Sequence, residues 1–277
     1  MKQILWFRRD LRITDSAILH FAKDEVLPIF IFDKNILNKL SRDDKRVTFI
    51  YQSVLNLKKE LKSIGLDLAI FHSSPKEVFE SLKNEGFENI LCSIDFDDYA
   101  KKRDEQIAQI IPIQTFTDSF ITHPNDCLKA DGTPYKVFTP YYKNLSFIWD
   151  SHKLIELDRN ENLKLISFDY EKVPTLEELG FKAQKLVDFL EKTADELIKE
   201  FALKIDNYKV DRDFFDKNAT STLAVHLRFG LISPREAFNK IKELRSGSEN
   251  KEFFIRELFW REFYNYILYH FPRSEFE

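Results

Sequence analysis

Glycine, proline, cysteine and methionine are all scarce in this chain of 277 residues, which holds 6 glycines, 9 prolines, 2 cysteines and 1 methionine. So few glycines and prolines leave little material for long loops and favour helices. Cys92 and Cys127 lack the spacing of a metal site and do not suggest a disulfide framework. Glycine-rich dinucleotide and P-loop motifs are also missing, which disfavours a standard dinucleotide or nucleoside-triphosphate site.

An excess of positive charge and a long apolar run are missing as well. The chain has 42 Lys+Arg against 46 Asp+Glu, a net charge of -4, so any nucleic-acid contact must come from a local patch. The amino terminus, MKQILWFRRD, reaches charged residues too early for a signal peptide. No uninterrupted apolar run is long enough to span a bilayer. We therefore expect a monomeric cytoplasmic protein without membrane contact.

Short apolar runs alternate with helical patterns through the first half of the chain. The predicted strands are QILWF, VLPIFIF, LDLAIFH, NILCSID and IPIQTFTD, and amphipathic helices separate the later ones. This order predicts an α/β domain over residues 1–125, with a doubly wound, Rossmann-like parallel sheet of five strands. Such sheets bind ligands at the carboxyl ends of their strands.

The pattern changes after residue 125. Residues 126–180 contain many turn formers, and we expect a connector of ordered loop and linker there. From residue 181 to residue 277 the pattern is entirely helical, beginning with the long amphipathic stretch KAQKLVDFLEKTADELIKEFALKIDNY. In SPREAFNKIKEL, Ser233 is the predicted N-cap and Pro234 the first helical residue.

The final helix, FIRELFWREFYNYILYHFP, is apolar on most sides but carries one polar stripe. Glu257, Trp260, Arg261 and Tyr264 are spaced i, i+3, i+4 and i+7 and therefore share one face. The stripe has two interpretations. Glu257 and Arg261 form an ordinary ion pair on a half-exposed face, or the stripe holds a flat, phosphate-bearing ring system by stacking and charge.

A cluster of small hydroxyl side chains precedes another helical run, at Thr220, Ser221 and Thr222. Hydroxyls and free N–H groups at a helix start can hold a phosphate. Plain N-capping by Thr220 or Ser221 explains the cluster equally well.

Three arginines, Arg8, Arg9 and Arg12, surround Asp10 directly after the first predicted strand. The cluster is either a solvated loop, or an arginine-lined pocket or ion-pair network at the carboxyl edge of the sheet.

Four segments in this order resemble the signature segments of the DNA photolyase/cryptochrome family: WFRRDLRITDSAIL, DGTPYKVFTPYYKN, TSTLAVHLRFGLISPREAF and RELFWREFYNYILYHFP. The resemblance runs from Gln3 to the last residues. It implies an antenna domain over 1–125, a connector over 126–180, and the amino-terminal part of an all-helical FAD-binding domain over 181–277.

The resemblance implies a light-driven lyase that repairs cyclobutane pyrimidine dimers in damaged DNA, using an electron from reduced FAD. The lesion is flipped out of the duplex into a dry, aromatic-lined pocket. One alternative is a cryptochrome-like blue-light receptor that binds flavin without repair. Another is a flavin-free nucleotide-binding or scaffolding module that consists of the α/β domain.

Site residues carry over from the family by position. Glu257 and Trp260 are the implied catalytic residues, and with Arg212 they are the implied DNA contacts. The implied FAD contacts are Tyr208, Thr220, Ser221, Thr222, Leu223, Ala224, Glu257, Arg261 and Tyr264. Arg9, Arg46 and Lys101 are candidate contacts of an antenna chromophore.

The sequence departs from the family at several points. Thr222 and Ala224 stand where the family has Arg and Ser, so one charge and one hydroxyl are missing on the phosphate side. Tyr99 and Ala100 replace an Asn-Glu pair, which favours a deazaflavin or flavin antenna over methenyltetrahydrofolate. Family members also continue beyond the last residue of this sequence. We expect the FAD domain to be incomplete here, and the 277-residue chain to repair DNA poorly or not at all.

Overall fold

A computed structural model describes residues 2–151, 154–245 and 247–275 of the chain. The strands are β1 (Lys2–Phe7), β2 (Glu25–Asp33), β3 (Ala69–Ser73), β4 (Asn89–Ser93), β5 (Ile113–Phe116) and β6 (Lys164–Leu165). The helices of the first half are α1 (Ala17–Phe21), α2 (Lys34–Leu37), α3 (Lys45–Ser63), α4 (Pro75–Asn84), α5 (Asp98–Ala108) and α6 (Phe138–Ser151). The second half has α7 (Asp188–Glu191), α8 (Ala194–Ala202), α9 (Tyr208–Asp211), α10 (Ala224–Phe229), α11 (Pro234–Glu243) and α12 (Ser248–His270).

The sheet confirms the predicted architecture. Its five main strands run parallel in the order β3-β2-β1-β4-β5, and the two-residue β6 adds to the beginning of β2. From β1, the chain adds β2 and β3 on one side, and then β4 and β5 on the other side of β1. The point where the order reverses therefore lies between the carboxyl ends of β1 and β4, where sheets of this kind bind ligands.

Both faces of the sheet are buried because successive side chains of a strand point to opposite sides. On one face, Leu5 and Phe7 of β1 pack with α1 and α3. On the other, Ile4 and Trp6 pack with α4 and α5, and Cys92 lies in the same cluster as a free, buried thiol. The continuous apolar strands of the sequence are those of a sheet covered on both sides.

The prediction that residues 126–180 form loop and linker was wrong in part. Helix α6 occupies fourteen of these residues, and β6 extends the sheet. Pro140 favoured a loop in the sequence. It lies in the first turn of α6, however, where an N–H would have no partner within the helix and its absence is tolerated. Tyr141, Leu145 and Trp149 of α6 are buried in the core of the helical part.

The prediction of a long amphipathic helix that begins near residue 181 was also wrong. Helix α8 begins only at Ala194, because Thr193 and Glu196 form a reciprocal capping box that starts a new helix. The N-cap prediction was right for Ser233, whose hydroxyl accepts from the Glu236 N–H. Helix α12 ends at His270, and residues 276–277 lie outside the described part of the chain. Among the helices described, none combines the length and the apolar character needed to cross a membrane.

Helix α10 is held directly against the loop that follows β1. The Leu11 N–H donates to the Phe229 carbonyl oxygen over 3.1 Å. Gly230 ends α10 in the left-handed conformation, with φ of 68°. A Cβ at Gly230 would lie 2.2 Å from the Arg9 carbonyl oxygen. Only glycine permits this approach, which fixes α10 relative to the sheet.

A buried ion network joins the sheet to α11. Arg235 donates to the Asp15 carboxylate over 2.9 Å and to the Asp118 carboxylate over 3.0 Å. Arg12 contacts Asp118 over 2.8 Å. Arg8 pairs with a carboxylate of α5, and Arg9 with one in the loop after β4. The arginine cluster after β1 is therefore an ion-pair network and not a solvated loop, and its charges hold the two parts of the chain together.

Candidate functional site

The polar stripe of α12 lines a cavity in the helical part, which we call the helical cavity. Its volume is about 690 Å³, within the usual range of ligand pockets. The structure brings together here nearly all the residues that the resemblance implied. They are Tyr208, Thr220, Ser221, Thr222, Leu223, Ala224, Glu257, Trp260, Arg261 and Tyr264.

Glu257 does not pair with Arg261, which was the simpler interpretation of their spacing. Its carboxylate instead accepts a hydrogen bond from the Arg212 guanidinium. Both side chains keep about a third of their surface exposed. The hydrogen bond that Arg212 donates to Glu257 raises the pKa of Arg212, and burial raises the pKa of the adjacent Tyr208. Arg212 thus reaches the cavity through its partner and orients the carboxylate at the cavity's edge.

Trp260 is half-buried, and its indole stacks on the ring of Phe138. The ring centroids are 3.6 Å apart and the planes differ by 7°. The Tyr264 ring lies 5.7 Å from the indole at an angle of 28° and is itself exposed. Phe138 therefore fixes the orientation of the indole, and the part of Trp260 that faces the cavity is the part available to a ligand.

Arg261 provides a buried donor without an acceptor. Its Nη2 donates to the Leu227 carbonyl oxygen over 3.2 Å. Among the residues that the structure describes, its buried Nη1 has no hydrogen-bond partner, and a carboxylate oxygen of Glu262 lies 3.5 Å away. Burial lowers the pKa of Arg261, partly offset by Glu262. An unpaired buried donor is costly, so an acceptor on a bound ligand would stabilise this arginine.

Glu262 lies on the opposite side of α12 and anchors the chain after β5. Its carboxylate accepts hydrogen bonds from the Ile121 N–H over 3.1 Å and from the Thr122 N–H over 3.4 Å. Burial raises the pKa of Glu262 to about 7, against the opposing effects of Arg261 and of the two N–H donors. The group positions Arg261 and the chain after β5 relative to each other.

The hydroxyl cluster does not cap α10, as one interpretation expected. The N-cap residue is Leu223, and no side chain caps the helix. Ser221 Oγ accepts from the Leu223 N–H over 3.3 Å, and Thr222 Oγ1 donates to the Ser221 carbonyl oxygen over 2.7 Å. Thr222 has φ of 57°, a conformation that β-branched residues rarely adopt. These residues form a compact polar loop that lines the helical cavity, and strained backbone is common at binding sites.

A second cavity, the sheet-edge cavity, lies at the carboxyl ends of β1 and β2. Its volume is about 570 Å³. The sheet and α5 contribute Trp6, Arg9, Asp33 and Tyr99, among others, and α10 contributes Ala224 and Arg228. Arg9, Asp95, Ala224 and Arg228 line the helical cavity as well. The two cavities are therefore neighbours that share one wall.

The three candidate antenna residues do not all lie together. Arg9 and Arg46 line the sheet-edge cavity. Arg9 pairs with Asp95 over 2.8 Å, and Arg46 pairs with the N-cap residue Asp44. Lys101 does not line the sheet-edge cavity, and its Nζ lies 5.8 Å from the centroid of the Tyr269 ring. No group of metal-ligating side chains was found in the described ranges.

Comparison with known proteins identifies the family of the chain. The family model for DNA photolyase matches residues 3–158, which is more than half of the chain. The chain belongs to the DNA photolyase family. It is 29% identical to the deoxyribodipyrimidine photo-lyase of Alkalihalophilus pseudofirmus, over 97% of this chain and 59% of the relative. It is 26% identical to Cryptochrome-2 of Arabidopsis thaliana, over 98% of this chain and 50% of the relative.

Solved photolyase structures share the fold. A bacterial class III photolyase from Agrobacterium tumefaciens superimposes with a TM-score of 0.81 at 23% identity, covering 100% of this chain and 60% of the other. An archaeal photolyase from Sulfolobus tokodaii, solved with two FAD molecules, gives a TM-score of 0.76 at 24% identity, covering 99% and 60%. This photolyase-family chain spans about 60% of the length of the curated photolyases to which it is similar.

One residue that lines these cavities, and two that contact lining residues, escaped the sequence reasoning about function. Phe138 lies in a segment predicted as loop, so its stack with Trp260 could not be expected. Arg228 is four residues after Ala224, and this helical spacing would have placed both on the wall shared by the cavities. Glu262 and Glu257 are five residues apart and therefore lie on different faces of α12. Helical spacing could thus have shown that Glu262 does not belong to the polar stripe.

Proposed function

We propose that this chain provides the flavin-binding and lesion-binding wall of a light-driven enzyme that repairs cyclobutane pyrimidine dimers in DNA. One observation carries the proposal. Glu257, Trp260 and Arg261 of α12 and the hydroxyl loop at residues 220–222 line the same cavity. A carboxylate, an indole and a guanidinium with an unpaired donor match a ligand that combines ring systems, phosphates and polar base edges.

The helical cavity fits a flavin nucleotide. Apolar side chains such as Leu223, Phe254 and Leu258 line much of it, and Arg261 Nη1 has no acceptor within the described part of the chain. In this assignment, the hydroxyl loop and Arg261 hold phosphate and ring oxygens of FAD, and Tyr208 closes the apolar side. When bound and excited by light, reduced FAD would supply the electron that splits the dimer. The residues of this chain keep the site dry and the two ring systems in contact.

Glu257 and Trp260 are assigned to the lesion. An extruded dimer would pack against the part of the Trp260 indole that lines the cavity, and Phe138 fixes the orientation of this indole. The Glu257 carboxylate would accept hydrogen bonds from base edges, and Arg212, now paired with it, would be shared with the DNA backbone. Extrusion costs a few kcal/mol of stacking, least for a damaged base pair, and this cost favours damaged DNA as the partner.

The sheet-edge cavity is the proposed site of an antenna chromophore, a deazaflavin or a flavin. Arg9 and Arg46 are the proposed cationic contacts, and Lys101 is withdrawn because it lines neither cavity. Tyr99 lines the sheet-edge cavity and donates a hydrogen bond to Asp33. The shared wall would place the antenna close to the flavin, as transfer of excitation requires.

Binding of FAD and of damaged DNA to the purified chain tests the proposal. FAD binding is measured by fluorescence, and DNA binding by gel shift with a duplex that carries one dimer and with an undamaged duplex. We expect Arg261→Gln to weaken FAD binding, and Trp260→Ala to reduce the preference for the dimer by roughly tenfold through lost stacking. We also expect Glu257→Gln to reduce this preference, because it removes the carboxylate charge at the cavity's edge. Glu252→Gln, an exposed change on the same helix, is its matched control.

The proposal fails if the Arg261 and Trp260 variants bind FAD and dimer-containing DNA as the unaltered chain does. A cryptochrome-like receptor without repair is the alternative, supported by the similar identity to Cryptochrome-2. A chain that binds FAD but does not distinguish damaged from undamaged DNA would favour this receptor. A chain that binds neither FAD nor damaged DNA would favour a flavin-free module.

A further inference from the structure

A third cavity, on the other side of the hydroxyl loop from the helical cavity, is lined by lysines. We call it the lysine cavity. Its volume is about 660 Å³, and it lies between the beginning of α3, the chain around α7, helix α8 and the hydroxyl loop. The charged and polar residues that line it are Lys45, Lys185, Asp188, Lys192, Glu200, Lys204, Asn218 and Thr222.

The lysines outnumber the carboxylates in this lining by four to two. Lys192 pairs with Glu200. Lys204 instead donates to a neutral acceptor, Asn218 Oδ1, over 3.0 Å. In the described part of the chain, Lys45 and Lys185 have no carboxylate within 4.0 Å, and both are exposed at the rim. The cavity therefore holds positive charge that the protein itself does not neutralise, and a concave site concentrates the resulting field.

Lys204 is held by an amide oxygen and not by a carboxylate. It is half-buried, and burial together with the nearby Lys192 lowers the pKa of Lys204, while Glu200 opposes the shift. Many other lysines of the chain, such as Lys240 with Asp195 and Glu236, are paired with carboxylates. A half-buried ammonium held by an amide is stabilised when an anion binds beside it.

Thr222 connects the lysine cavity to the helical cavity, because it lines both. Asn218, which holds Lys204, lies four residues before Thr222 on the same loop. The φ of 57° at Thr222 is maintained at a cost, and residues held in this way are found where a loop shapes a binding site. A polar loop of this kind between the lysine cavity and the helical cavity suits a ligand with phosphate groups.

We propose that the lysine cavity binds a phosphate-bearing anion, with Lys192 and Lys204 as its contacts and Lys45 and Lys185 at its rim. The phosphate has two possible sources. It belongs either to the ligand of the helical cavity, reaching past Thr222, or to a separate phosphorylated small molecule. The inference does not require that the helical cavity binds a flavin.

The test is a calorimetric titration of the 277-residue chain with sodium pyrophosphate at low ionic strength, where screening is weak. We expect saturable binding that Lys204→Gln weakens roughly tenfold or more, and Lys192→Gln with Lys204→Gln further, because charged hydrogen bonds are lost. Lys204→Arg keeps the charge and should retain most of the affinity. Lys76→Gln, on the distant helix α4, is the control and should bind as the unaltered chain does.

The proposal is wrong if pyrophosphate does not bind the unaltered chain, or if it binds the double variant equally well while circular dichroism shows both folded. Competition then identifies the source. Pyrophosphate that weakens FAD binding in the unaltered chain but not in the double variant assigns the phosphate to the ligand of the helical cavity. Simultaneous binding assigns it to a separate molecule. Pyrophosphate binding without any FAD binding would support this site and refute the flavin assignment.

Discussion

The contact between Gly230 and the loop after β1 predicts a large effect from one methyl group. In Gly230→Ala, the new Cβ would lie 2.2 Å from the Arg9 carbonyl oxygen and 2.6 Å from Asp10 Cα. Both are backbone atoms, so the clash cannot be relieved by rotating a side chain. The backbone at Gly230, with φ of 68°, is also unfavourable for alanine.

Two costs add in Gly230→Ala. The left-handed conformation costs about 1–2 kcal/mol for a residue with a Cβ. Forcing additional volume into a packed contact costs about 1–3 kcal/mol more. We therefore expect the free energy of unfolding to fall by about 2–5 kcal/mol. Because α10 lines both ligand cavities, its displacement should weaken ligand binding in both.

Gly65→Ala is the matched control. Gly65 has φ of 80°, but a Cβ there would meet nothing within 4 Å, so only the conformational cost applies. Urea unfolding followed by circular dichroism measures both variants. The difference between them isolates the close approach of α10 to the sheet. If Gly230→Ala loses no more stability than Gly65→Ala, the reasoning about this contact is refuted.

Three further predictions concern charges. The pKa of Glu262 is raised to about 7, so the folded chain holds a proton that the unfolded chain releases near the ordinary pKa of a glutamate. The free energy of unfolding should therefore fall by about 3 kcal/mol as pH rises from about 4.5 to 7. Glu262→Gln should remove this pH dependence. Arg235→Ala should cost about 3–5 kcal/mol in urea unfolding, since it leaves Asp15 and Asp118 buried and underpaired; a loss below 1 kcal/mol would contradict the network. Arg212→Ala should cost less than about 1 kcal/mol, as its pair with Glu257 is partly exposed, yet reduce the preference for dimer-containing DNA; unchanged gel shifts would contradict this role.

The sequence predicted the sheet well because its signals are local. Apolar runs such as VLPIFIF, found as β2, identify strands buried on both faces without knowledge of their neighbours. The stripe of Glu257, Trp260 and Arg261 was also predictable, since helical spacing alone places these residues on one face. Errors arose where local signals conflict, as at Pro140 in the first turn of α6 and at the capping box of Thr193.

Partners distant in the sequence could not be predicted. Arg212 is 45 positions from Glu257, and Phe138 is more than a hundred positions from Trp260. No periodicity relates such residues, and only the packed chain brings them together. For the same reason, the spacing of Glu257 and Arg261 suggested an ion pair, whereas the carboxylate of Glu257 in fact pairs with Arg212. The same limit hid the lysine cavity, whose lysines come from α3, the chain before α7 and the two segments that flank α8.

A crystal structure of the chain with FAD tests the central assignment most directly. We predict flavin density in the helical cavity, with an acceptor atom of the ligand within hydrogen-bonding distance of Arg261 Nη1 and a phosphate beside the loop at residues 220–222. Density confined to the sheet-edge cavity, with Arg261 Nη1 still unpaired, would contradict the assignment.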